Sequence, residues 1–249
     1  KQNIKIIETE SLLRFSGGDG RKLLNIFEVV INAQNTENIE ITNDLVLQFA
    51  QKNTVLYDKT GEQHYDIVSA FIKSIRGSDP NAAVYWLARM IEGGEDVKFI
   101  ARRLLILASE DIGNANPTAL IMANNTFQAV TTIGFPESRI ILSQCVVYLA
   151  TSAKSNASYM AINKAQQLVK QTGDLSIPLH LRNAPTKLMK ELGYGEDYKY
   201  SHNYENNFND QEYLPNEISE TRLFEPGDNA RETEIRKFLK NRWKDKYGY

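Results

Sequence analysis

Between His64 and Gly113 apolar residues return every three or four positions, and that spacing constrains the fold more than any other feature of the chain. Ile67, Val68, Phe71, Ile72 and Ile75 share one helical face, and Val84, Tyr85, Leu87, Ala88 and Ile91 share another. Asp79 is placed to cap the second helix and Pro80 to begin it, directly after Gly77-Ser78. Gly93-Gly94 ends that helix, and Glu95-Asp96 opens a third. Three helices on tight connections are the expectation for this stretch.

The same pattern continues downstream. Asn116-Pro117 begins a helix predicted to reach about Ile133, and Pro136-Glu137 begins another with Ile140, Ile141, Cys145, Val146 and Leu149 as its apolar set. Ser155-Asn156 begins a third, predicted to end at Lys170. Helical hairpins so evenly spaced pack as a bundle or a short solenoid-like collar, and strand alternation is nearly absent. The predicted fold class is therefore all-α.

Composition removes several function classes. The 249 residues, 42% of them apolar, suffice for a real core in one large domain or two smaller ones. Basic and acidic residues number 29 and 31, so whole-chain charge favours no partner. A single cysteine excludes a disulfide framework within one chain and fits a reducing compartment. No apolar run approaches the roughly 20 residues that cross a bilayer. The chain opens on Lys1 in structured-looking sequence, so a fragment or processed product is expected.

Upstream of the helical middle, Ile4 to Phe15 reads as one short helix, and Asn43 to Gln51 as another. Between them Asp19 is placed to cap a helix whose inner face is Leu23, Leu24, Ile26, Phe27, Val30 and Ile31. Arg21 falls in its first turn. A phosphate loop of the form GxxxxGK[ST] is missing from the sequence, as is an apolar strand ending in paired carboxylates for magnesium. This chain alone is not expected to hydrolyse ATP.

Other polar residues carry two readings each. Arg102 and Arg103 diverge by about 100° on a helix, so they suit pairing with Glu95, Asp96, Glu110 or Asp111, or a subunit or DNA contact. Glu110-Asp111 reads as an ion pair rather than an acid–base pair, and Tyr85 and Trp86 as core or interface. His64, His180 and His202 lack metal-ligand spacing, so no metal site is expected. Cys145 reads as a buried structural thiol.

After Gln171 the texture changes. Arg182, Lys187 and Lys190, with His180, form a basic cluster that either holds phosphate oxygens of DNA or is a solvated face locking a loop. From Glu191 to Ala230 ten carboxylates face two cations, and aromatics such as Tyr194, Tyr198, Tyr200, Tyr204, Phe208 and Tyr213 are expected to anchor the segment on the protein's own surface. A terminal helix follows, with Ile235, Phe238, Leu239 and Trp243 on one face.

Two resemblances add to this reading. SGGDGRKLLNIFE (Ser16 to Glu28) resembles the second sensor motif that opens a lid helix in AAA+ ATPases of the clamp-loader-like branch. That resemblance makes Arg21 a nucleotide-contacting residue, and a planar, permanent cation suits a phosphate gaining charge during transfer. Gly20 departs from the larger residue usual there. RGSDPNAAVYWLARMIEGGED, IARRLLILASEDIG, VVYLATSAKSNASY and LRNAPTKLMKELGYG closely resemble the replication-associated recombination protein A family, also called MgsA, with eukaryotic relatives known as Werner helicase-interacting proteins.

The family resemblance implies an ATPase, using ATP and magnesium, that acts on single-stranded or forked DNA at stalled or gapped replication forks. It implies a homotetramer, association with single-strand DNA-binding protein, and a cytoplasmic, nucleoid-associated place. On it, residues 1–56 become the end of a lid domain and 57–195 a collar-like oligomerisation domain, with 196–249 an irregular segment ending in a basic helix. The rival class is a stand-alone helical module that binds DNA or protein. An enzyme of small molecules would need a deep pocket of convergent ionisable groups, which the sequence does not assemble.

Overall fold

The computed structural model describes residues 3–16, 20–34, 36, 38–52 and 62–249. By internal contacts the chain divides into two units, residues 1–66 with 89–95, and residues 67–88 with 96–249.

In the first unit the expected helix from Ile4 to Phe15 is instead a strand followed by a helix. Strand β1 (Asn3–Ile6) pairs in parallel with β2 (Asn38–Ile41), Ile4 opposite Ile39 and Ile6 opposite Ile41. Ile4-Lys5-Ile6 alternates with a period of two, its β-branched side chains tolerate extended backbone, and pairing with β2 selects it. Helices α1 (Glu10–Ser16) and α2 (Gly20–Asn32) form the crossover that a parallel pair requires. Helix α3 (Asn43–Lys52) follows β2. The starts of α1 and α3 are tied together, because Ser11 N donates to Asn43 Oδ1 (2.8 Å) and Asn43 N donates to Glu8 Oε2 (2.7 Å). The core is Leu12, Ile26, Val30, Ile39, Ile41 and Val46, with Leu23, Phe27 and Phe49 packed against it. Gly17, Gly18, the proposed cap Asp19 and the Arg21 side chain lie outside the described residues.

The second unit is helical throughout its ordered elements. Helices α4 (Glu62–Arg76), α5 (Pro80–Glu92) and α6 (Val97–Leu107) realise the trio expected from the apolar spacing. Asp79 Oδ1 accepts from Asn81 N and Ala82 N at 3.0 Å, and Asp96 accepts from Lys98 N and Phe99 N, so both expected starts are capped. Phe71, Ile75, Ile100, Leu104, Leu142 and Leu149 are fully buried in its core. After α6 the backbone widens into a π turn, Ala108–Ile112, which swings Glu110 and Asp111 off the α6 periodicity. Helices α7 (Thr118–Ile133), α8 (Ser138–Thr151) and α9 (Ala157–Thr172) start within two residues of the proline and asparagine signals.

Helix α10 (Lys187–Glu191) is a single turn, and α11 (Ala230–Trp243) closes the chain. Between them the irregular segment satisfies its backbone with buried amides rather than a ladder. Gln211 accepts from Lys199 N (3.0 Å) and donates to Lys199 O (3.3 Å), while Asn209 donates to Lys199 O (3.0 Å) and Ser201 Oγ (3.0 Å). Among the described residues no helix is long and apolar enough to cross a membrane.

Cys145 sits in the α8 core as expected. Burial pushes its thiol up to about 11, against a weaker opposing hydrogen bond from Thr126. At pH 8 that leaves about one thiolate in a thousand. The native chain should therefore fail to react with a disulfide reagent at pH 8 and release one equivalent on denaturation. Rapid native reaction would contradict the packing of α8.

Candidate functional site

The residues of the densest motifs meet in a polar junction within the second unit. Arg76, last residue of α4, donates to Asp111 through Nε (2.6 Å) and Nη2 (3.2 Å), and Glu110 lies 3.7 Å away. The hydrogen bond to Asp111 holds the guanidinium above its usual pKa, against partial desolvation. Two residues on, Ser78 has a left-handed backbone (φ +62°), which turns its hydroxyl to accept from Lys154 Nζ at 3.0 Å. Lys154 also donates to the carbonyls of Ala150 (2.9 Å) and Ser152 (2.6 Å), and desolvation lowers its pKa.

The next link is Ser155, whose N–H donates to Asp111 O (2.8 Å). Its carbonyl stands 3.2 Å from where a Cβ on Gly113 would lie, and Gly113 has φ +49°, so glycine is required there on both counts. The Ser155 hydroxyl donates to Glu232 of α11 (2.7 Å to Oε2), a carboxylate with no exposed surface. Gly227 N (2.8 Å) and Asn229 Nδ2 (2.9 Å) complete its donor set. Asn229 in turn caps α11 by accepting from Glu232 N (3.0 Å). Hydrogen bonds, several of them charge-assisted, thus fasten the ends of α4 and α8, the π turn, and the start of α11.

This arrangement positions elements; it does not assemble a nucleophile and a base. The nearest cleft, about 590 Å³, is bordered by Lys154, Lys164, Glu225, Asp228 and Arg236. Within it Arg236 pairs with Glu225 through Nη1 and lies 3.7 Å from Asp228, and its Nη2 donates to Pro226 O. Among the described residues no cluster of three or more His, Cys, Asp and Glu side chains could hold a metal ion.

The sequence-predicted site residues are placed as follows. Arg21 has its backbone in the first turn of α2, and its side chain lies outside the described residues. Arg182 is engaged internally: Nε donates to Ile177 O (2.7 Å), Nη1 to Tyr194 OH (3.1 Å), and the guanidinium lies 5.0 Å from the Tyr194 ring centroid. Lys187 is fully solvated with Glu191 3.9 Å away, and Lys190 is exposed on the same short helix. His180 Nε2 donates to Glu212 O (2.7 Å), which ties the loop to the acidic segment. The structure therefore brings Lys187 and Lys190 together at the surface and turns Arg182 toward loop closure.

Several expectations resolve toward packing. Glu110-Asp111 is an ion pair with Arg76, not with Arg102 or Arg103; Arg102 is exposed, and the Nε of Arg103 is buried with no hydrogen-bond partner. Phe208 and Tyr213 anchor the irregular segment by standing edge-on to Trp243, at 5.2 and 6.2 Å, whereas Tyr198, Tyr200 and Tyr204 are exposed. Phe238 is not part of the docked face of α11. It is exposed, and Arg242 lies 3.6 Å from its ring centroid, because it sits about 100° round from the centre of the Ile235–Leu239–Trp243 face. The sequence reading missed two contacts: His64 Nδ1 with Glu95 Oε2 (2.8 Å, both buried) within the first unit, and Glu232 with Ser155. Only the Asn-x-x-Glu spacing of a capping box, Asn229 to Glu232, signalled the second.

The tail is also fastened by Lys246 Nζ donating to Glu212 Oε2 at 2.8 Å. Burial alone would raise the Glu212 carboxyl, but Lys246 and the N–H groups of Leu214 and Tyr213 outweigh it, and its pKa lies below the ordinary carboxylate range. A depressed folded pKa contributes stability above the unfolded value of 4.5, lost as pH falls through the folded value. Glu212→Gln is therefore expected to be less stable than wild type at pH 7, with the difference in urea unfolding shrinking progressively as pH falls below 4.5. A difference that stays constant across that range would contradict the pairing.

Helix α9 is the least covered long element. Of its sixteen residues only Ala157 is buried, and Tyr159, Ile162 and Val169 line one side at 43, 55 and 64% exposure. This stripe leaves apolar side chains open to solvent along a regular helix.

Residues 77–243 match the family described as MgsA AAA+ ATPase C terminal, and residues 1–76 match the one described as AAA C-terminal domain. Replication-associated recombination protein A of Coxiella burnetii is 42% identical over 231 residues, covering 92% of this chain and 52% of that protein. The protein of the same name from Escherichia coli K12 is 40% identical over 222 residues, 88% of this chain and 50% of the relative. ATPase WRNIP1 of Dictyostelium discoideum is 39% identical over 236 residues, 87% of this chain and 27% of the relative. The chain spans about half the length of the curated bacterial relatives it matches.

Proposed function

The chain belongs to the MgsA AAA+ ATPase family, as C-terminal domains of that family, and from this premise we propose that it supplies the lid and the assembly region of an ATPase working on DNA at stalled or gapped replication forks. The relatives' names, replication-associated recombination protein among them, support the setting. ATP and magnesium are held, in this reading, by the half of the protein that the relatives have and this chain does not span. The 249 residues carry no phosphate loop, so no step of hydrolysis is assigned to them.

Arg21 reaches the nucleotide from the first turn of α2, and moving that contact on hydrolysis shifts the lid. The second unit holds four copies together through the stripe of α9, and the polar junction keeps its helices rigid enough to pass the movement on. The observation that carries the assembly role is the open apolar side of a sixteen-residue helix. Lys187 and Lys190 offer a weak phosphate contact in each copy, with Arg182 shaping their loop, and four copies add by avidity. A protein of this kind works with DNA in the cytoplasm beside single-strand DNA-binding protein.

In the full-length protein, Arg21→Ala is expected to lower fork-stimulated ATP hydrolysis at least about tenfold while leaving the assembled mass unchanged. Unchanged turnover would remove Arg21 from the nucleotide site.

A further inference from the structure

Helix α11 and the residues just after it carry seven cations and three carboxylates between Arg231 and Lys246, and the fold divides them into two sets. On the docked side Glu232 is closed on Ser155, Arg236 on Glu225 and the Pro226 carbonyl, and Lys246 on Glu212. Arg242 is committed to the Phe238 ring. Arg231 at the start of the helix and Lys237, Lys240 and Lys244 remain, all four exposed; Lys237 and Lys240 lie one turn apart on α11, and Lys244 follows its last residue with a left-handed backbone (φ +48°). Among the described residues none of the three ammonium groups makes an ion pair or hydrogen bond. Glu234 lies about 60° round the helix from Lys237, between it and Phe238, and Asp245 follows Lys244 beyond the helix end.

At about 1.5 Å per residue Lys237 and Lys240 rise about 4.5 Å along the helix axis, and with Lys244 they span roughly 10 Å, a length over which one duplex strand, rising about 3.4 Å per phosphate along its axis, presents several phosphates. Lysine is a flexible point charge, suited to a repeating phosphate rather than to the fixed fork of one carboxylate. A helix that enters a lipid interface turns a broad apolar face to the membrane. Here that face, Ile235, Leu239 and Trp243, is turned onto the protein, and Trp243 is packed by Phe208, Tyr213 and Tyr247.

We propose that the outer face of α11 is a sequence-independent contact surface for a nucleic-acid backbone, with Lys237, Lys240 and Lys244 each meeting a phosphate. The proposal rests on the reading of the chain as part of a DNA-acting protein, and it adds a surface separate from Lys187 and Lys190. The docked tail has a purpose on this account: Glu232 and Trp243 hold a charged face rigid, so that its lysines lose little freedom on binding.

The test is fluorescence anisotropy of the 249-residue chain with a labelled mixed-sequence oligonucleotide, single-stranded and duplex, over a series of salt concentrations. Wild type is compared with a Lys237→Gln, Lys240→Gln, Lys244→Gln triple variant and with a Lys187→Gln, Lys190→Gln double variant, with solution mass recorded for each. The triple variant should bind at least tenfold more weakly at low salt, and the slope of log K against log salt on duplex should lose about two to three units, near 0.9 per phosphate contact. Equal affinity and slope in wild type and triple variant overturns the inference and leaves the DNA reading intact. Absence of oligonucleotide binding by wild type also overturns the inference, whereas the proposed function is judged separately by the Arg21 experiment on the full-length protein. Binding to phosphatidylserine vesicles without binding to either oligonucleotide overturns it in favour of a lipid surface.

Discussion

Glu232→Ala is expected to destabilise the second unit by about 3 kcal/mol, measured by urea unfolding with Trp243 emission as the reporter. The carboxylate has no exposed surface, and its loss strands three donors: the Ser155 hydroxyl, Gly227 N–H and the Asn229 amide. A buried donor left without its acceptor costs about 1 kcal/mol or more, and the deleted side chain leaves a cavity besides. Gln at the same position keeps the shape and one oxygen, so roughly half the loss is expected. Because Ser155 N also bonds Asp111 O, the effect should couple to Arg76→Ala, and the double variant should lose less than the two single losses combined. A loss below about 1 kcal/mol for Glu232→Ala would mean that α11 is not held by this junction.

The helices were legible in the sequence because their signals are local. Asp79, Asp96, the proline that begins α5 and the prolines just before α7 and α8 mark starts through one or two residues, and apolar spacing fixes which faces turn inward. Strand β1 was not legible, because four residues of Asn-Ile-Lys-Ile fit a helix turn as well as a strand until β2 supplies a partner 35 positions away. The junction was partly legible. Glu110 and Asp111 read correctly as an ion pair, but the sequence could not choose Asp111's partner, since the choice depends on the π turn that redirects it. Glu232 is the clearest case of hidden information: a charged residue on a basic helix looks solvated, and only folding places it against Ser155, 77 positions earlier. Arg182 likewise reads as a cation for DNA until Ile177 O and Tyr194 are seen to hold it.

The second large effect concerns assembly. Ile162 stands in the middle of the exposed stripe of α9, between Tyr159 and Val169. If that stripe joins copies of the chain, Ile162→Asp removes about 1.5–3 kcal/mol of apolar burial per contact and puts an unpaired carboxylate into the same dry surface. A combined cost near 4 kcal/mol is roughly a thousandfold in the dissociation constant of each contact. The folded chain itself should be unaffected, because Ile162 is 55% exposed and contributes little to the core. Circular dichroism and the unfolding midpoint of the variant should match wild type. Unfolding of the variant without loss of assembly would assign α9 to the interior instead.

Light scattering of the wild-type 249-residue chain on a sizing column decides most directly between an assembly region and an isolated helical module. At tens of micromolar the account predicts a mass four times that of one chain, falling to a single chain for Ile162→Asp. A wild-type mass of one chain at that concentration would contradict it.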